Sequence, residues 1–299
     1  MLYNDKELFM QAVLEVSENT GISVGIVEKD YYVTMLLKAI VENNPDVIFK
    51  GGTSLSKCYK IIDRFSEDID LNIKSEGKPS QGEKRNLKES ITKAISTVGL
   101  EFSNPAETRS RREFNRYLIN YPRSFEAGYL KPQVIVETSL YIAAYPYNKM
   151  TATSMIYDYY SDKNMPFIKE YGLEPFEVNV QSAERTLIDK VFALGDYYLG
   201  NKIEEHSRHI YDIHKLLTIV EINDDVKKLA LDVRNDRKNH HACLSAQDNV
   251  NMVSLIREVI DTAAYMDDYK TITSKLLFTE CTYDESIQSL ERCIDIFSS

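Results

Sequence analysis

Two aspartates, Asp68 and Asp70, stand two residues apart and follow a glycine pair, Gly51 and Gly52, after one short predicted helix. The aspartates interrupt an apolar alternation typical of a β-strand, in which residues i and i+2 face the same side. Two carboxylates so close repel each other unless a cation lies between them. Hard oxygen ligands of this kind suit Mg²⁺, or Mn²⁺, carrying substrate phosphates. The spacing therefore predicts a divalent metal site on one strand face.

The glycine pair ends a short apolar run, and Thr53 follows it at the start of a predicted helix over residues 53–61. Glycine adopts backbone conformations closed to other residues, so its amides can approach a ligand closely. The N–H groups of a helix N-terminus favour anions. A glycine pair alone usually marks an ordinary turn. Because this glycine pair stands one short helix before the acidic pair, it predicts a phosphate-binding turn. A phosphate-binding turn beside a metal-binding acidic pair is what nucleotidyl transfer requires.

Glu137 is a third candidate carboxylate. It lies in an apolar segment, residues 133–141, that alternates as a strand does, where an unpaired carboxylate would be costly to bury. If this strand lies beside that of Asp68 and Asp70, Glu137 completes a second metal site or accepts the proton of an attacking hydroxyl. A surface-facing strand glutamate is the alternative.

Lys190 and Asp212 lie in two amphipathic segments that predict helices. A lysine is a compact charge suited to a triphosphate, although an exposed helical lysine is the commoner case. Arg208 stands one turn before Asp212 and is its expected partner within the helix.

Elements that position these residues follow from hydrophobic periodicity and turn signals. Two helices fill the first 44 residues, one ending near Gly21 and the next running from Ser23 through Ile40. Strands are predicted at 47–50, 67–74 and 176–180, extended segments at 112–121 and 133–141, and a helix at 83–98. The tyrosine-rich stretch 146–172 has no clear pattern, and nearly everything after Ser182 reads as helix. The pattern predicts a mixed domain, residues 1–180, and a helical one, 181–299.

Composition is that of a soluble globular protein, with 43% apolar and 27% charged residues among 299. No stretch approaches the roughly 20 apolar residues that cross a bilayer, and the N-terminus lacks the pattern of a signal peptide. The four scattered cysteines have no zinc-site spacing, so a reducing cytoplasm fits best and no membrane partner is expected.

Charge is unevenly distributed. The net charge of −10 argues against a protein coated in nucleic-acid-binding surface. Residues 74–123, however, hold eleven Lys and Arg against six Asp and Glu, a local charge of +5. Such a segment near an acidic pair could hold a polyanion, or be an ordinary solvated surface.

Four runs of sequence resemble, in order, the AbiEii/AbiGii toxin family of nucleotidyltransferases. They are KGGTSLSK at 50–57, RFSEDIDL at 64–71, ERTLIDKVFAL at 184–194 and RHIYDI at 208–213. The stretch VEKDYY at 27–32 also looks like the N-terminal helix of this family. Its members belong to the polymerase β-like superfamily, and the MenT tRNA-modifying toxins are relatives.

The resemblance implies an α+β fold with a polymerase β-like nucleotidyltransferase core, a small mixed sheet flanked by helices, and a helical C-terminal lobe that completes the active site. It also implies roles for individual residues. Those similar to family positions are the phosphate-binding Gly51, Gly52 and Thr53, the small hydroxyl residue Ser66, the metal ligands Asp68 and Asp70, the phosphate-contacting Lys190, the final acidic residue Asp212 and, as the third carboxylate, Glu137.

The implied activity is metal-dependent transfer of an NMP from an NTP to an acceptor hydroxyl, on RNA such as a tRNA 3′ end, by a toxin that a cognate antitoxin protein restrains. Two alternatives stay open from sequence. One is a nucleotide-binding regulatory module without turnover, and the other is a nucleotidyltransferase that acts on a small-molecule hydroxyl.

Overall fold

The computed structural model describes residues 1–75, 77–125 and 130–298. The chain forms two compact units, which we name the sheet unit (Met1–Tyr59 and Ser66–Val180) and the helical unit (Lys60–Phe65 and Gln181–Ser299). The short segment Lys60–Phe65 groups with the helical unit although the sheet unit flanks it in sequence. Within the described ranges, no helix has the length and apolarity needed to cross a membrane.

The sheet unit is built on a mixed sheet that has seven strands in the part of the chain described, in the order β3-β4-β5-β2-β1-β7-β6. β2 pairs with β1 antiparallel and with β5 parallel, whereas β4 and β5 are antiparallel and β1 and β7 parallel. The strands are β1 Val47–Lys50, β2 Asp68–Ile73, β3 Glu101–Phe102, β4 Phe114–Asn120, β5 Val134–Ser139, β6 Tyr147–Ala152 and β7 Phe176–Gln181.

Helices of the sheet unit end where the sequence places left-handed glycines or caps. α1 ends at Gly21 (φ 73°), and α4 begins at a Ser80–Glu83 capping box and ends at Gly99 (φ 73°). The helices are α1 Lys6–Thr20, α2 Val24–Asn43, α3 Gly51–Ser54 with a π-helical continuation Leu55–Tyr59, α4 Gln81–Val98, α5 Met155–Tyr160 and α6 Met165–Tyr171.

One face of the sheet carries the apolar core. Phe49, Leu71 and Val136 from three adjacent strands are fully buried in one cluster with Leu36 of α2 and Ile91 of α4. The side chains that alternate with them along β2, beginning with Asp68, face the other side and are only partly buried at the start of the strand. The sheet therefore keeps its polar face for the candidate chemistry.

The helical unit consists, in its described residues, of helices and short turns. Its helices are α7 Ala183–Leu199, α8 Arg208–Leu216, α9 Asp224–Arg237, α10 Met252–Asp261, α11 Met266–Asp268, α12 Ser274–Leu276, α13 Tyr283–Arg292 and α14 Ile294–Phe297. α8 packs against both α7 and α13. The segment Lys60–Phe65 joins this unit by main-chain hydrogen bonds, from Phe278 N to Asp63 O (2.7 Å) and from Phe65 N to Leu276 O (3.0 Å).

The predicted α+β class, with a mixed sheet, flanking helices and a helical C-terminal part, is confirmed. The helix expected over 53–61 begins earlier, at Gly51, and its second half is π-helical. The unassigned stretch 146–172 contains β6, α5 and α6.

Candidate active site

Four charged residues on four adjacent strands stand opposite one another across the sheet. Lys50 of β1 pairs with Asp70 of β2, Asp70 with Glu137 of β5, and Glu137 with Arg116 of β4. Directly opposite residues share a face and interact. We call these four residues, together with Asp68 two positions before Asp70, the carboxylate row. Glu137 was expected to join the acidic pair only if its strand lies beside the strand of Asp68 and Asp70. This is the case, because β5 lies beside β2.

Gly51 approaches the row closely. Its φ is +77°, in the left-handed region that favours glycine, and a Cβ at this position would lie 2.1 Å from Asp70 Oδ2. Both the turn and the space beside the Asp70 carboxylate thus require glycine. The helical segment of Gly52 and Thr53 begins at this point, directly at the end of β1. The predicted phosphate turn and acidic pair are therefore brought together.

Asp68 is incompletely satisfied. Its Oδ2 lies 3.2 Å from Lys131 Nζ, whereas its Oδ1 is buried and has no hydrogen-bond partner among the described residues. A buried polar atom without a partner is costly, and in a native protein it indicates a missing ion, water or ligand. The Asp68 carboxylate therefore fits a metal ligand.

The donor set suits a cation that also binds substrate. In the described ranges, no group of three or more His, Cys, Asp or Glu is arranged to hold a metal. Mg²⁺ is commonly bound by one or two carboxylates together with substrate phosphates rather than by a closed protein cage. Asp68 and Asp70 fit that mode. The role of Glu137 as a third ligand stays a prediction.

Thr53 and Ser66 hold the start of β2 in place. The Thr53 hydroxyl donates to the main-chain oxygen of Asp68 (2.6 Å) and lies 2.9 Å from the Ser66 hydroxyl. Thr53 is fully buried. These side chains therefore fix Asp68 relative to the glycine turn, and any phosphate contact of Thr53 is left to its main chain.

Glu137 is partly exposed and pairs with Arg116, whose Nε lies 3.3 Å from its Oε1. Burial raises the pKa of Glu137, and the nearby charge of Asp68 raises it further, while Arg116 opposes both. The shift thus reflects burial first and then the crowding of negative charge on one sheet face.

Sequence reasoning assigned no role to a chain of charges behind Asp68. Lys29 of α2 is fully buried, contacts the Glu67 carboxylate and donates to the Lys131 main-chain oxygen (2.8 Å). Lys131 in turn reaches Asp68 and, at 3.9 Å, Glu67. A sequence feature could have pointed to these buried charges, because three consecutive charged residues, Glu28 to Asp30, stand in a helix that is otherwise largely apolar and aromatic.

Asp30 supports the glycine turn from the same helix. It forms a buried ion pair with Lys57, which also donates to the Thr34 hydroxyl (2.6 Å), and its Oδ2 accepts from Met155 N (2.8 Å). Lys57 belongs to the KGGTSLSK run, so this lysine ties the helical segment after the turn to α2. A buried pair with these added hydrogen bonds holds a fixed geometry.

The helical unit holds Lys190 and Asp212 together. Asp212 is fully buried, and its two carboxylate oxygens accept from Arg64 Nε and Nη2, both at 2.7 Å. Lys190 Nζ donates to Oδ2 at 2.6 Å. The expected partner within the helix, Arg208, is not the residue that binds this carboxylate. Arg64, 148 positions away in sequence, takes that place, and its planar guanidinium matches both carboxylate oxygens at once.

These charges set one another's protonation. Burial alone would raise the pKa of Asp212, but Arg64 and then Lys190 hold it well below its usual range. Burial lowers the pKa of the Lys190 ammonium, and Asp212 opposes that shift. We call Arg64, Lys190 and Asp212 the buried cluster. Both oxygens of its carboxylate are occupied, so Asp212 positions the two cations.

Comparison with known proteins agrees with the motifs and the fold. Residues 36–290 match the sequence model of the nucleotidyl transferase AbiEii toxins of type IV toxin–antitoxin systems. MenT4, a nucleotidyltransferase toxin from Mycobacterium tuberculosis H37Rv, superposes with a TM-score of 0.53 at 16% identity, over 95% of this chain and 89% of that chain. At that identity the likeness shows a shared fold. Among curated proteins, none matches the sequence.

The chain is thus an NTP-dependent nucleotidyltransferase. It belongs to the AbiEii toxin family, whose model covers most of its length, and it is a toxin of a toxin–antitoxin system, as the motifs predicted.

Proposed function

We propose that this enzyme moves an NMP from an NTP to a hydroxyl of an RNA acceptor, such as the 3′ end of a tRNA, and that it depends on a divalent metal. The observation that carries the proposal is the close approach of Gly51 to Asp70 within the carboxylate row. A glycine turn and a pair of aspartates meet on one sheet face, and one oxygen of Asp68 has no hydrogen-bond partner among the described residues. A triphosphate and its cation need both the turn and the carboxylates.

Asp68 and Asp70 are the proposed ligands of Mg²⁺ or Mn²⁺. Asp68 Oδ1, which has no hydrogen-bond partner within the described residues, supports this assignment. When bound, such an ion polarises the phosphoryl oxygens as a Lewis acid. The main chain at Gly52 and Thr53 is the proposed contact for the nucleotide phosphates, because the helical segment begins there.

The sheet order suggests where the two substrates bind. Lys50 and the glycine turn lie on the β1 side of Asp70, and Glu137 lies on the β5 side. In phosphoryl transfer the attacking and leaving oxygens are roughly in line, on opposite sides of the phosphorus. We therefore place the leaving pyrophosphate on the β1 side and the acceptor on the β5 side.

In the proposed step, the acceptor hydroxyl oxygen bonds to the α-phosphorus, the bond from that phosphorus to the bridging oxygen of the β-phosphate breaks, and pyrophosphate leaves. Glu137 either takes the hydroxyl proton or completes the metal site, in which case the proton passes to water; its place beside Asp70 supports both roles. Lys190 is proposed to contact the phosphates, and Asp212, held by Arg64, to fix the Lys190 ammonium.

An RNA acceptor is supported by the basic segment 74–123, of which all residues but Glu76 are described. A protein antitoxin is supported by family membership. The test is incubation of the protein with each α-³²P-labelled NTP and bulk bacterial RNA, followed by sizing of the labelled species. We expect label in RNA with one preferred NTP, lost with EDTA and restored by Mg²⁺.

Parallel reactions with small polyols and aminoglycoside-like alcohols in place of RNA test whether the acceptor is RNA or a small molecule. Label that enters only these small molecules would replace the RNA acceptor. Label in RNA that persists in EDTA would refute the metal dependence. The Asp68→Ala variant, purified in the same way, serves as the blank for contaminating activities.

A further inference from the structure

An exposed phenylalanine stands on the same sheet face as the carboxylate row. Phe114 of β4 is 46% exposed, and its neighbours Asn115 and Tyr117, which face the core side, are buried. Phe114 pairs with Ser139 as Arg116 pairs with Glu137, so Phe114 and Arg116 face the same side as Glu137. An aromatic ring that is exposed to solvent beside charged residues can stack on another planar ring.

Phe114 lies on the acceptor side of the carboxylate row. β4 follows β5 in the sheet, on the side of Asp70 opposite the glycine turn. Neighbouring strands are about 4.8 Å apart, so β4 lies roughly 10 Å from β2, and Phe114 is two residues along the strand from Arg116. At that distance Phe114 can contact a nucleotide close to the reacting hydroxyl. It is too far away to contact the attacked phosphate itself.

Charge around Phe114 is basic on balance, because Glu113, the residue before it, is paired with Lys84 at 3.5 Å. The Arg116 side chain is 48% exposed and uses Nε toward Glu137, which leaves a guanidinium with further N–H donors at the surface. Arg111 and Arg112, just before Phe114 in sequence, are exposed as well. Exposed aromatic rings beside arginines are the usual means by which proteins bind unpaired nucleotides, through stacking and phosphate contacts.

We propose that Phe114 and Arg116 form a stacking platform for an unpaired nucleotide of the RNA acceptor, next to its reacting 3′ hydroxyl. The ring of Phe114 stacks on the base, and Arg116 contacts the adjoining phosphate. The platform requires a single-stranded end, because a base inside a duplex already stacks on both faces. This inference rests on the proposed RNA acceptor and specifies which part of it is bound.

The experiment measures binding without turnover. A fluorescein-labelled single-stranded RNA of twelve nucleotides is titrated with protein in the absence of NTP, so that no transfer occurs. Loss of one base–aromatic stack weakens binding by roughly tenfold. We expect that loss for Phe114→Ala and for Phe114→Leu, whereas Phe114→Tyr and Phe114→Trp keep the affinity of the unmodified protein.

Phe278→Ala is the matched control, since Phe278 is 40% exposed in the helical unit. It should bind RNA as the unmodified protein does. Affinity for a non-hydrolysable NTP analogue should be the same for all these variants, because Phe114 lies on the acceptor side. A blunt RNA duplex should bind with equal affinity to the unmodified protein and to Phe114→Ala.

A second readout reports stacking directly. RNAs that carry 2-aminopurine at the first, second or third position from the 3′ end should lose fluorescence on binding at one of these positions. The quenching should disappear in Phe114→Ala and in Phe114→Leu. Quenching that is equal in Phe114→Leu and the unmodified protein would show that stacking on this ring does not occur, and would overturn the proposal.

Other outcomes also decide. Unchanged RNA affinity of Phe114→Ala overturns the platform, even if label transfer to RNA proves the activity. The same result together with a dimer that dissociates in Phe114→Ala, seen by sedimentation, assigns this face to self-association instead. Conversely, a tenfold loss in Phe114→Ala supports the platform even if no NTP yields a product, so the two proposals fail separately.

Discussion

The carboxylate row of the sheet unit and the buried cluster of the helical unit use the same residue types in opposite ways. In the row, Asp70 and Glu137 stand side by side, the Asp68 side chain is 19% exposed, and one of its oxygens has no hydrogen-bond partner in the described ranges. In the cluster, Asp212 is 0% exposed, and both of its oxygens bind Arg64 or Lys190.

The difference separates binding from positioning. A carboxylate that already has its cations in the protein offers little to a ligand, and removing one partner leaves an uncompensated buried charge. Crowded carboxylates with an unused oxygen have the reverse property, because a ligand cation relieves their repulsion. We therefore expect substitutions of Asp68 and Asp70 to abolish activity and leave the fold intact, and substitution of Asp212 to weaken the fold.

The largest effect on activity is expected at Asp68. Asp68→Ala should lower transfer of label from α-³²P NTP by about a thousandfold or more, since Lewis-acid stabilisation is worth several kcal/mol. The free energy of unfolding should stay equal or rise, because the variant removes one of the crowded charges. Asp162→Ala, at an exposed position of the sheet unit, is the control. Appreciable transfer by Asp68→Ala would remove the basis for the metal site.

The largest effect on stability is expected at Asp212. Asp212→Ala leaves Arg64 and Lys190 buried without their anion and should lower the free energy of unfolding by about 3–5 kcal/mol in urea denaturation. Asp248→Ala, which breaks a surface pair with Lys238 in the same unit, should leave the free energy of unfolding nearly unchanged. Equal costs for the two variants would contradict the contrast between cluster and surface.

Acid provides an independent measurement of the same pair. The pKa of Asp212 is depressed in the folded chain, so its stabilising contribution is present above its unfolded pKa of about 3.9 and is lost as the pH falls toward the folded value. Asp212→Asn should therefore show a shallower loss of stability with falling pH below about pH 4. A slope identical to that of the unmodified protein would mean that the ion pair does not contribute.

The Gly51→Ala variant tests whether activity tolerates a displacement of the Asp70 carboxylate. Gly51→Ala forces a Cβ against Asp70 Oδ2, and a displacement of about 1 Å can cost roughly 100-fold in rate. Gly21→Ala has the same left-handed backbone (φ +73°) with nothing within 4 Å of the added Cβ, so it isolates the backbone strain. It should lose about 1–2 kcal/mol of stability and keep full activity. Full activity in Gly51→Ala would refute the need for close approach.

The smallest effect concerns Lys131, which places its ammonium where a metal ion would compete for Asp68. Lys131→Gln should tighten Mn²⁺ binding, measured without NTP by electron paramagnetic resonance, by about two- to fivefold, the worth of a partly exposed pair. Lys149→Gln, which breaks an exposed pair with Glu177, should leave the metal affinity unchanged. Weaker binding in Lys131→Gln would show that the lysine supports the site.

Local spacing was sufficient to predict much of this site. The strand of Asp68 and Asp70, the preceding glycine turn and the helices of Lys190 and Asp212 are all where the sequence placed them, because period, turn residues and caps act over a few residues. The tyrosine-rich stretch 146–172 could not be assigned, since its short strand and helices show no sustained period. The family was readable from four short motifs for the same local reason.

Contacts between residues far apart in sequence were decided only by the tertiary structure. The bond from Arg64 to Asp212, the reach of Lys131 to Asp68, and the register that sets Glu137 beside Asp70 join segments tens to more than a hundred residues apart. Register depends on strand order, and the partner of a buried charge depends on which segments pack around it. The sequence alone thus determined which residues could do chemistry. Packing determined that Asp68 has an oxygen without a partner among the described residues and that Asp212 is fully held by Arg64 and Lys190.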